Sequence, residues 1–372
     1  MKQNVSTANR TLFMDHTVLE LDHIPETIRF RETQINTMYQ NIRPAIRGAC
    51  PTNMILQGLP GTGKTTIVKH IFKEIKETNI HILPVLVNCQ IMQTEFRVFH
   101  KIYSTLFHQE PPLHGVSIMQ LIDAVATKFS RTGDVILICL DDVNFLLHEN
   151  TMEKVLCTLL RLHEEYPGIK IGVIITVNTI DAPITNHLSK SVNSIFRPNL
   201  ILFPPYEEEE VRAIMQDRVR VGLCPGIISP DIQDTIVEKT MKECDLRLGI
   251  CLLKSSADLA ESDNRTSITQ TDVGASLQTV REIHLQTADK VLKEEEQQML
   301  DMTIKLIRQN GNRMNSGELY QEMEKLVPMC YSSFRRRINK YSYLGLIKIN
   351  RPNIWGNTRE ILLRYDTHTI KK

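Results

Sequence analysis

The feature that most constrains the fold of this 372-residue chain is a glycine-rich segment at residues 58–65, with the sequence GLPGTGKT. It matches the pattern GxxxxGK[ST], in which backbone N–H groups converge on phosphate oxygens at the start of a helix. The segment follows a strand-like run, Met54 to Gln57, and precedes a helical pattern, Thr66 to Ile75. The alternative interpretation is a chance glycine turn, which would need neither a strand before it nor a helix after it. The spacing therefore predicts a strand–loop–helix unit that binds nucleotide phosphates.

Each residue type in this loop has a chemical reason. Lys64 is expected to neutralise the β- and γ-phosphates, and the Thr65 hydroxyl is expected to coordinate Mg²⁺. The predicted nucleotide contacts from the loop are Gly61, Thr62, Gly63, Lys64, Thr65 and Thr66. The expected cofactors are therefore ATP or ADP and Mg²⁺.

Strand-like runs alternate with helical patterns from about residue 50 to residue 205. This order predicts parallel strands with helices on both faces, an α/β fold. Three helical segments without a strand follow, then a long helical stretch from Gln270 to Met299, then three helices and two strand-like runs. We expect three domains: an α/β base domain at 1–205, a helical domain and linker helix at 206–298, and a winged-helix domain at 299–372.

The composition excludes several classes of protein. The chain is 42% hydrophobic and 23% charged, which is typical of a globular protein rather than a disordered one. No apolar run approaches the ~20 residues that cross a bilayer, and the first residues contain no secretory signal. The eight cysteines form no C-x-x-C pair and the twelve histidines no HExxH motif, so no zinc site is predicted. We expect a cytoplasmic protein with reduced cysteines and no membrane partner.

Two carboxylates follow the apolar run from Val135 to Leu140. A P-loop protein needs one acid to hold Mg²⁺ through water and often a second acid to polarise the attacking water. Asp141 suits the first role and Asp142 the second, as catalytic residues, with Thr65 and Asp141 around the metal. An aspartate pair that caps the turn after a strand is the alternative interpretation.

The second acid is usually glutamate in this class of ATPase, and Asp142 is one methylene shorter. A water displaced by ~1 Å costs about 10²-fold in rate. The sequence therefore predicts slow hydrolysis or none.

The charge of the chain is unevenly distributed. Residues 299–372 carry 14 basic and 6 acidic side chains, a net charge of +8, whereas the whole chain has a net charge of +1. A basic terminal domain on an acidic body is typical of a protein that binds a polyanion. Residues 316–365 are predicted to form a winged helix-turn-helix, whose first helix is capped by Ser316 and has Leu319, Met323 and Leu326 inward.

The second helix of this region is predicted to begin at Ser332 or Ser333, with Phe334, Ile338 and Tyr341 on its buried face. A cationic outer face on such a helix suits the major groove of DNA. The predicted DNA-binding residues, from this helix and the following wing, are Arg335, Arg336, Asn339, Lys340, Arg351 and Arg359. A winged helix that contacts protein, with its charges merely solvated, is the alternative.

Three further segments extend the pattern. Residues 24–34 read IPETIRFRETQ, residues 203–206 read FPPY and precede Arg218 by twelve positions, and residues 244–247 read CDLR. With the P-loop and the basic end, they make the chain from Leu12 to Tyr365 resemble the archaeal origin-recognition and cell-division-control initiators. These are the ORC-type DNA replication proteins of the AAA+ class.

The resemblance implies an AAA+ P-loop core, an all-α lid and a C-terminal winged helix. It places Pro25 and Arg31 at the adenine pocket, Asn178 at the catalytic sensor position, and Tyr206, Arg218 and Arg247 at the nucleotide. It also implies an ATP-binding initiator that binds origin duplex DNA and helps to recruit the replicative helicase. We expect a nucleoid-associated protein that is a monomer in solution or assembles on DNA.

One segment departs from the family pattern. Ser191 stands where the family has an arginine finger, and Lys190 or Arg197 are the possible substitutes. A missing finger costs about 10³- to 10⁵-fold in turnover where one is used. The alternative function is therefore a divergent paralogue that regulates through DNA binding, with nucleotide as a structural ligand. A generic P-loop signalling ATPase is a third option, which would leave residues 24–34 unexplained.

Overall fold

The computed structural model describes residues 11–78, 81–111, 115–147, 150–178, 184–292, 294–343, 346–350 and 359–363. The chain divides into two compact units, Met1–Ile268 and Thr269–Lys372, called here the first and the second unit. The finer boundaries expected at residues 205 and 298 stay predictions. None of the described helices combines the length and the apolarity that crossing a bilayer requires.

The first unit contains a five-stranded sheet in which every strand pair is parallel. The strands are β1 (Met54–Gly58), β2 (Ile82–Asn88), β3 (Val135–Asp141), β4 (Lys170–Val177) and β5 (Asn199–Phe203), in the spatial order β2-β3-β4-β1-β5. Because all strands run the same way, their carboxyl ends meet at one edge of the sheet, where ligands of such folds bind.

Helices cover both faces of this sheet. They are α1 (Glu32–Ile46), α2 (Lys64–Glu77), α3 (Glu95–Phe107), α4 (Ile118–Thr132), α5 (Thr151–Glu165) and α6 (Lys190–Phe196). One core includes α3, α4 and α5, and the other includes α1 and α2. Every residue of β3 is buried, as expected for a central parallel strand, and its apolar run is therefore continuous rather than alternating. The α/β fold expected from the sequence is confirmed.

Three helices follow β5 without an intervening strand: α7 (Glu208–Gly222), α8 (Pro230–Glu243) and α9 (Leu246–Ser262). Local sequence explains their starts. Glu207 and Glu210 form a capping box at α7, Pro230 occupies the first turn of α8, and the Asp245 carboxylate accepts a hydrogen bond from the Arg247 N–H at α9. This is the predicted all-α region.

The N-terminal segment packs on these helices. It contains a short 3₁₀ helix, His16–Leu19, and Phe13 pairs with Leu223 in an isolated antiparallel bridge. The Gly222 carbonyl accepts a hydrogen bond from the Met14 N–H at 2.9 Å. The sequence contained no strong signal for this contact, because one bridge needs no run of alternating residues.

The second unit contains α10 (Gln270–Val291), α11 (Glu294–Gln309), β6 (Arg313–Asn315), α12 (Ser316–Leu326), α13 (Tyr331–Tyr343), β7 (Ile347–Asn350) and β8 (Glu360–Leu363). The antiparallel sheet has the order β6-β8-β7. Helices with a small antiparallel sheet are consistent with the predicted winged helix. The stretch from Gln270 to Met299 is two helices rather than one, and three glutamates occupy the first turn of the second, where acids are favourable.

Two details of the prediction for α12 are wrong. Its N-cap is Asn315, which forms a capping box with Glu318, so Ser316 is already helical. Leu319 and Met323 are buried as expected, but Leu326 is 58% exposed. The reason is that α12 ends at Leu326, whose side chain lies beyond the core that the two inner residues fill. The next helix, α13, begins at Tyr331, one or two residues earlier than expected, and Phe334, Ile338 and Tyr341 are buried.

Candidate functional site

The glycine-rich loop joins β1 to α2 at the carboxyl edge of the parallel sheet. Gly61 and Gly63 have positive φ angles of 76° and 92°, which a residue with a side chain adopts only with strain. A Cβ at residue 61 would collide with the Asp245 carboxylate, and one at residue 63 would lie 2.8 Å from the Tyr206 hydroxyl. The loop is therefore held between the start of α9 and the segment after β5, and both glycines are required by packing as well as by backbone angle.

Lys64 begins α2 and is only 5% exposed. Its Nζ donates to the carbonyl oxygens of Gly58 at 2.9 Å and Leu59 at 2.8 Å. Burial lowers the pKa of Lys64 to about 8, opposed by the negative charges of Asp142, Asp141 and Asp245 and reinforced by Arg247. A buried ammonium held by neutral carbonyl oxygens is a favourable partner for an anion such as a phosphate.

Thr65 and Asp141 meet between α2 and the end of β3. The Thr65 hydroxyl lies 2.9 Å and 3.0 Å from the two carboxylate oxygens of Asp141. A hydroxyl and a carboxylate that converge on one point are hard oxygen ligands, the kind that Mg²⁺ prefers. The residues present therefore fit a magnesium ion beside a nucleotide phosphate.

Thr176, near the end of β4, is a third member of this group that sequence reasoning missed. Its hydroxyl donates to Asp141 Oδ1 at 2.7 Å and accepts from the Asp142 N–H at 2.7 Å. Thr176 is fully buried. A threonine inside an apolar strand gives no distinctive sequence pattern. Its role is visible only once β4 is known to lie next to β3, which ends in Asp141.

Asp142 and Asn178 lie side by side at the ends of β3 and β4. Asn178 Nδ2 donates to Asp142 Oδ1 at 2.5 Å, and the Asn144 side chain accepts from the Asn178 N–H at 3.0 Å. Asp142 has a left-handed backbone, with φ of 57°. Burial, and then the negative charge of Asp141, raise the pKa of Asp142. Two of the three predicted catalytic groups therefore contact each other directly.

Arg31 is 3% exposed and lies beneath the Tyr206 ring, with its guanidinium carbon 3.8 Å from the ring centroid. It donates to the carbonyl oxygens of Thr62 at 3.2 Å and Pro204 at 2.7 Å. Burial raises the pKa of Tyr206. Arg31 thus ties the segment before α1 to the P-loop and to the FPPY segment, and its donors are directed at backbone rather than outward.

The remaining nucleotide-site predictions are spread more widely. Arg247 Nε lies 3.4 Å from the Asp245 carboxylate, and its charge acts on both Lys64 and Asp142. Thr66 is in the first turn of α2, and Pro25 is half-buried in the segment before α1. Arg218 is buried and donates to the Val18 carbonyl of the N-terminal 3₁₀ helix. In this structure Arg218 holds that segment on α7.

The segment that replaces the arginine finger lies on α6. Ser191 is exposed and its hydroxyl accepts a hydrogen bond from Arg161 Nη2 of α5 at 2.8 Å. Lys190 and Arg197 are also exposed, and Arg197 Nε donates to the Ser194 carbonyl at 2.8 Å. The cation that contacts residue 191 is therefore Arg161. Lys190 and Arg197 are the substitutes that the sequence suggests for the missing arginine, and Arg161 is not among them.

In the second unit, the basic residues of α13 separate into two groups. Arg337 pairs with Glu295 at 3.2 Å and Lys340 with Glu296 at 2.6 Å, both on α11. Arg335 and Arg336 are exposed. Of the predicted DNA-binding set, Lys340 is therefore already paired within the unit.

A groove of about 290 Å³ lies between α13 and the small sheet. Its lining includes Ser316, Arg335, Asn339 and Arg359, and Arg359 Nη1 donates to the Asn339 side-chain oxygen at 3.3 Å. Arg335, Asn339 and Arg359 are thus brought together. Arg351 and the rest of the predicted wing at residues 351–358 lie outside the described residues.

Comparison with known proteins identifies the family. Residues 27–174 match the AAA ATPase domain model, and residues 212–278 match the Cdc6 AAA+ ATPase-type lid domain model. ORC1-type DNA replication protein 2 of Methanothermobacter thermautotrophicus is 34% identical over 366 residues, covering 98% of this chain and 95% of that protein. The chain belongs to the ORC1-type DNA replication proteins. The resemblance read from the sequence is confirmed.

Solved structures of this family share the fold. The Aeropyrum pernix ORC1 protein in complex with DNA superimposes with a TM-score of 0.73 at 22% identity, covering 95% of this chain and 94% of that one. The Aeropyrum pernix ORC2 protein, in ADPNP and ADP complexes, gives a TM-score of 0.65 at 20% identity with the same coverage. The AAA+ core with a helical lid is thus the fold of this chain.

Proposed function

We propose that this ORC1-type protein is an ATP- or ADP-binding initiator of DNA replication, with Mg²⁺ held at Thr65 and Asp141. The observation that carries the proposal is the convergence of Lys64, Thr65, Asp141 and Asn178 at one edge of the sheet, around the glycine-rich loop. When bound, Mg²⁺ would neutralise phosphate charge. Lys64 would contact the phosphates, and Arg247 and Tyr206 would approach from the lid side of the loop.

The chemistry of the site supports slow turnover at most. Asp142, which would polarise the attacking water, is one methylene shorter than the glutamate usual in this class, and its carboxylate already accepts a hydrogen bond from Asn178. Ser191 removes the arginine of the family pattern, and Arg161 contacts its hydroxyl instead. Neither departure touches the phosphate-binding loop, so nucleotide binding is retained while hydrolysis is weakened.

The second proposed activity is binding of origin duplex DNA by the second unit. Arg335 and Arg336 on the exposed side of α13, with Asn339 and Arg359 in the adjoining groove, form a cationic surface of the kind that docks in the major groove. The net charge of +8 on residues 299–372 favours a polyanion. The related protein of Aeropyrum pernix, solved in complex with DNA, makes this partner the natural one to test.

The initiator proposal includes recruitment of the replicative helicase, a three-domain division at residues 205 and 298, and association with the nucleoid. A second candidate is a DNA-binding regulator in which nucleotide is a structural ligand and is not turned over. The Asp142–Asn178 contact and Ser191 favour it.

Single-turnover release of phosphate separates the two candidates. The purified protein is loaded with ATP and Mg²⁺ and followed with and without duplex DNA, using Lys64→Ala as the background. Release above that background, whether or not DNA stimulates it, supports the initiator with slow hydrolysis. Release equal to the background, in a protein that binds both ATP and DNA, supports the regulator.

A further inference from the structure

Thr176 occupies a position where one hydroxyl touches both acids of the nucleotide site. It lies near the carboxyl end of β4, next to β3, and is fully buried. Around it the sheet is apolar: Ile174, Ile175 and Val177 are also fully buried. A hydroxyl in such surroundings is costly unless both its donor and its acceptor sites are satisfied.

The two hydrogen bonds of this hydroxyl have a fixed direction. An ionised carboxylate only accepts and a backbone N–H only donates, so Thr176 must donate to Asp141 Oδ1 and accept from the Asp142 N–H. Both distances are 2.7 Å. The side chain is therefore a bridge between two consecutive residues that would serve different functions.

Each bond has a separate consequence. The bond to Asp141 fixes the rotation of that carboxylate, so that its oxygens face Thr65 at 2.9 Å and 3.0 Å. The bond from the Asp142 N–H satisfies the backbone of a residue in the left-handed region, with φ of 57°, and so holds its carboxylate against Asn178. Without the hydroxyl, the Asp142 N–H would lose this partner and Asp141 would be free to rotate.

We infer that Thr176 is a positioning residue for the metal: its hydroxyl orients Asp141 so that Mg²⁺ is bound beside the nucleotide. This inference rests on the proposed nucleotide function. Residues that hydrogen-bond to a metal ligand, rather than to the metal, change metal affinity by about 10- to 100-fold when they are removed. Thr176 has that relationship to Asp141, and the Thr65 hydroxyl contacts both oxygens of the same carboxylate.

The test uses the full chain and three variants. Thr176→Val removes the hydroxyl and keeps the volume and the branched Cβ, whereas Thr176→Ser keeps the hydroxyl and removes a methyl group. Thr176→Cys, which keeps a weak donor, provides a variant with intermediate hydrogen bonding. Binding of a fluorescent ATP analogue is measured against Mg²⁺ concentration and again in EDTA, and thermal unfolding shows whether each variant folds.

The expected result is a rise of about tenfold or more in the Mg²⁺ concentration needed for half-maximal tight binding by Thr176→Val. Affinity in EDTA should change less than about twofold, Thr176→Ser should lie near the wild type, and Thr176→Cys should lie between them. Should Thr176→Val fail to fold, a rise for Thr176→Cys larger than that for Thr176→Ser still supports the inference.

Three results overturn the inference. They are an unchanged Mg²⁺ requirement in Thr176→Val and Thr176→Cys, an equal loss of affinity with and without Mg²⁺, and a Thr176→Ser variant as impaired as the valine variant. The last two would assign Thr176 to packing alone. A wild-type protein that binds no nucleotide in any condition would instead overturn the proposed function, and the inference with it.

Discussion

The nucleotide site and the basic face of α13 hold their charged groups in opposite ways. Lys64 and Asp141 are buried: Lys64 is held by carbonyl groups of its own loop, and the partners of Asp141 come from α2 and β4. Arg335 and Arg336 are exposed on one helix, while their neighbours Arg337 and Lys340 are paired with acids of α11. A motif with fixed spacing predicts the residues of a buried site well. A helical period predicts a charged face but not which of its charges are already neutralised.

The largest expected effect tests the buried site. Lys64→Ala removes the only loop side chain that brings a positive charge to the phosphates. A hydrogen bond to a charged group contributes about 1.5–3 kcal/mol, so ATP affinity should fall roughly 10- to 150-fold. Equilibrium titration with a fluorescent nucleotide measures it. Lys73→Ala, on the exposed side of the same helix, is the matched control and should leave affinity unchanged.

A Lys64→Ala protein that retains full ATP affinity, with Lys73→Ala unchanged, would remove the basis for the nucleotide proposal. It would also mean that the sequence motif predicts the buried site no better than the helical period predicts the exposed face.

The next effect tests the exposed face. Replacing Arg335 and Arg336 together by alanine should reduce the salt dependence of duplex-DNA binding by about two phosphate contacts, a change of roughly 1.8 in the slope of log K against log[salt]. Fluorescence anisotropy with a labelled duplex measures this slope when the salt concentration is varied from about 50 to about 200 mM.

Arg337→Ala is the control for this measurement, because it removes the same charge from the same helix but from a side chain paired with Glu295. Its slope should stay near that of the wild type. If Arg337→Ala flattens the slope as much as one of the other arginines does, the distinction between the paired and the exposed arginines of α13 has no functional meaning.

A pH titration tests the buried site by itself, because burial brings the pKa of Lys64 down to about 8. The pKa of Lys64 lies at about 8 in the folded protein, below its ordinary value of 10.5. Between these values the unfolded chain binds the proton that the folded chain has lost, so the stability of the nucleotide-free protein rises with pH across that window. Phosphate binding needs the charged form, so ATP affinity should fall above pH 8, by up to about tenfold per pH unit.

The dissociation constant for ATP is measured at intervals from about pH 7 to about pH 9.5, a range that spans the lowered pKa of Lys64. Lys64→Arg is the control, since a guanidinium does not titrate there and its affinity should be flat. An equally steep fall in Lys64→Arg would assign the effect to another group.

The smallest expected effect concerns the end of α12. Leu326→Ala should change the free energy of unfolding by less than about 0.5 kcal/mol, because Leu326 is 58% exposed. Leu319→Ala, at a fully buried position of the same helix, should cost about 2–5 kcal/mol. Denaturant unfolding followed by helical circular dichroism compares them. Comparable losses in the two variants would mean that Leu326 is covered by a contact that the structure does not show.

Much of the base domain could be predicted because its signals are local. The strands β1 and β3 each extend one residue beyond the apolar runs that predicted them, Met54 to Gln57 and Val135 to Leu140. The helix after the P-loop follows from the glycines and from apolar periodicity. Asp141 and Asp142 were found because they interrupt an apolar run at the end of a strand. In the sheet, β3 lies next to β4, and this neighbourhood brings Asn178 beside Asp142. Asn178 was predicted from the family resemblance, because the spacing of residues along the chain does not show which strands are neighbours.

The rest depended on contacts between distant segments. Thr176 lies inside an apolar strand and is distinguished only by the neighbouring β3. The ion pairs of Arg337 and Lys340 need the position of α11, and the contact of Arg218 with Val18 needs the N-terminal segment. In α12 the period was right, but the helix ended at the residue whose burial was expected.

The left-handed backbone at residue 142 narrows the amino acids that this position accepts. Among residues with side chains, asparagine and aspartate enter that conformation most readily, because their short polar groups interact with the nearby backbone. A glutamate there would combine a longer reach toward water with a poorer fit to φ of 57°. The shorter acid is therefore more than a loss of catalytic reach: it matches the shape of the turn on which it lies, so restoring the longer acid alone would exchange one mismatch for another.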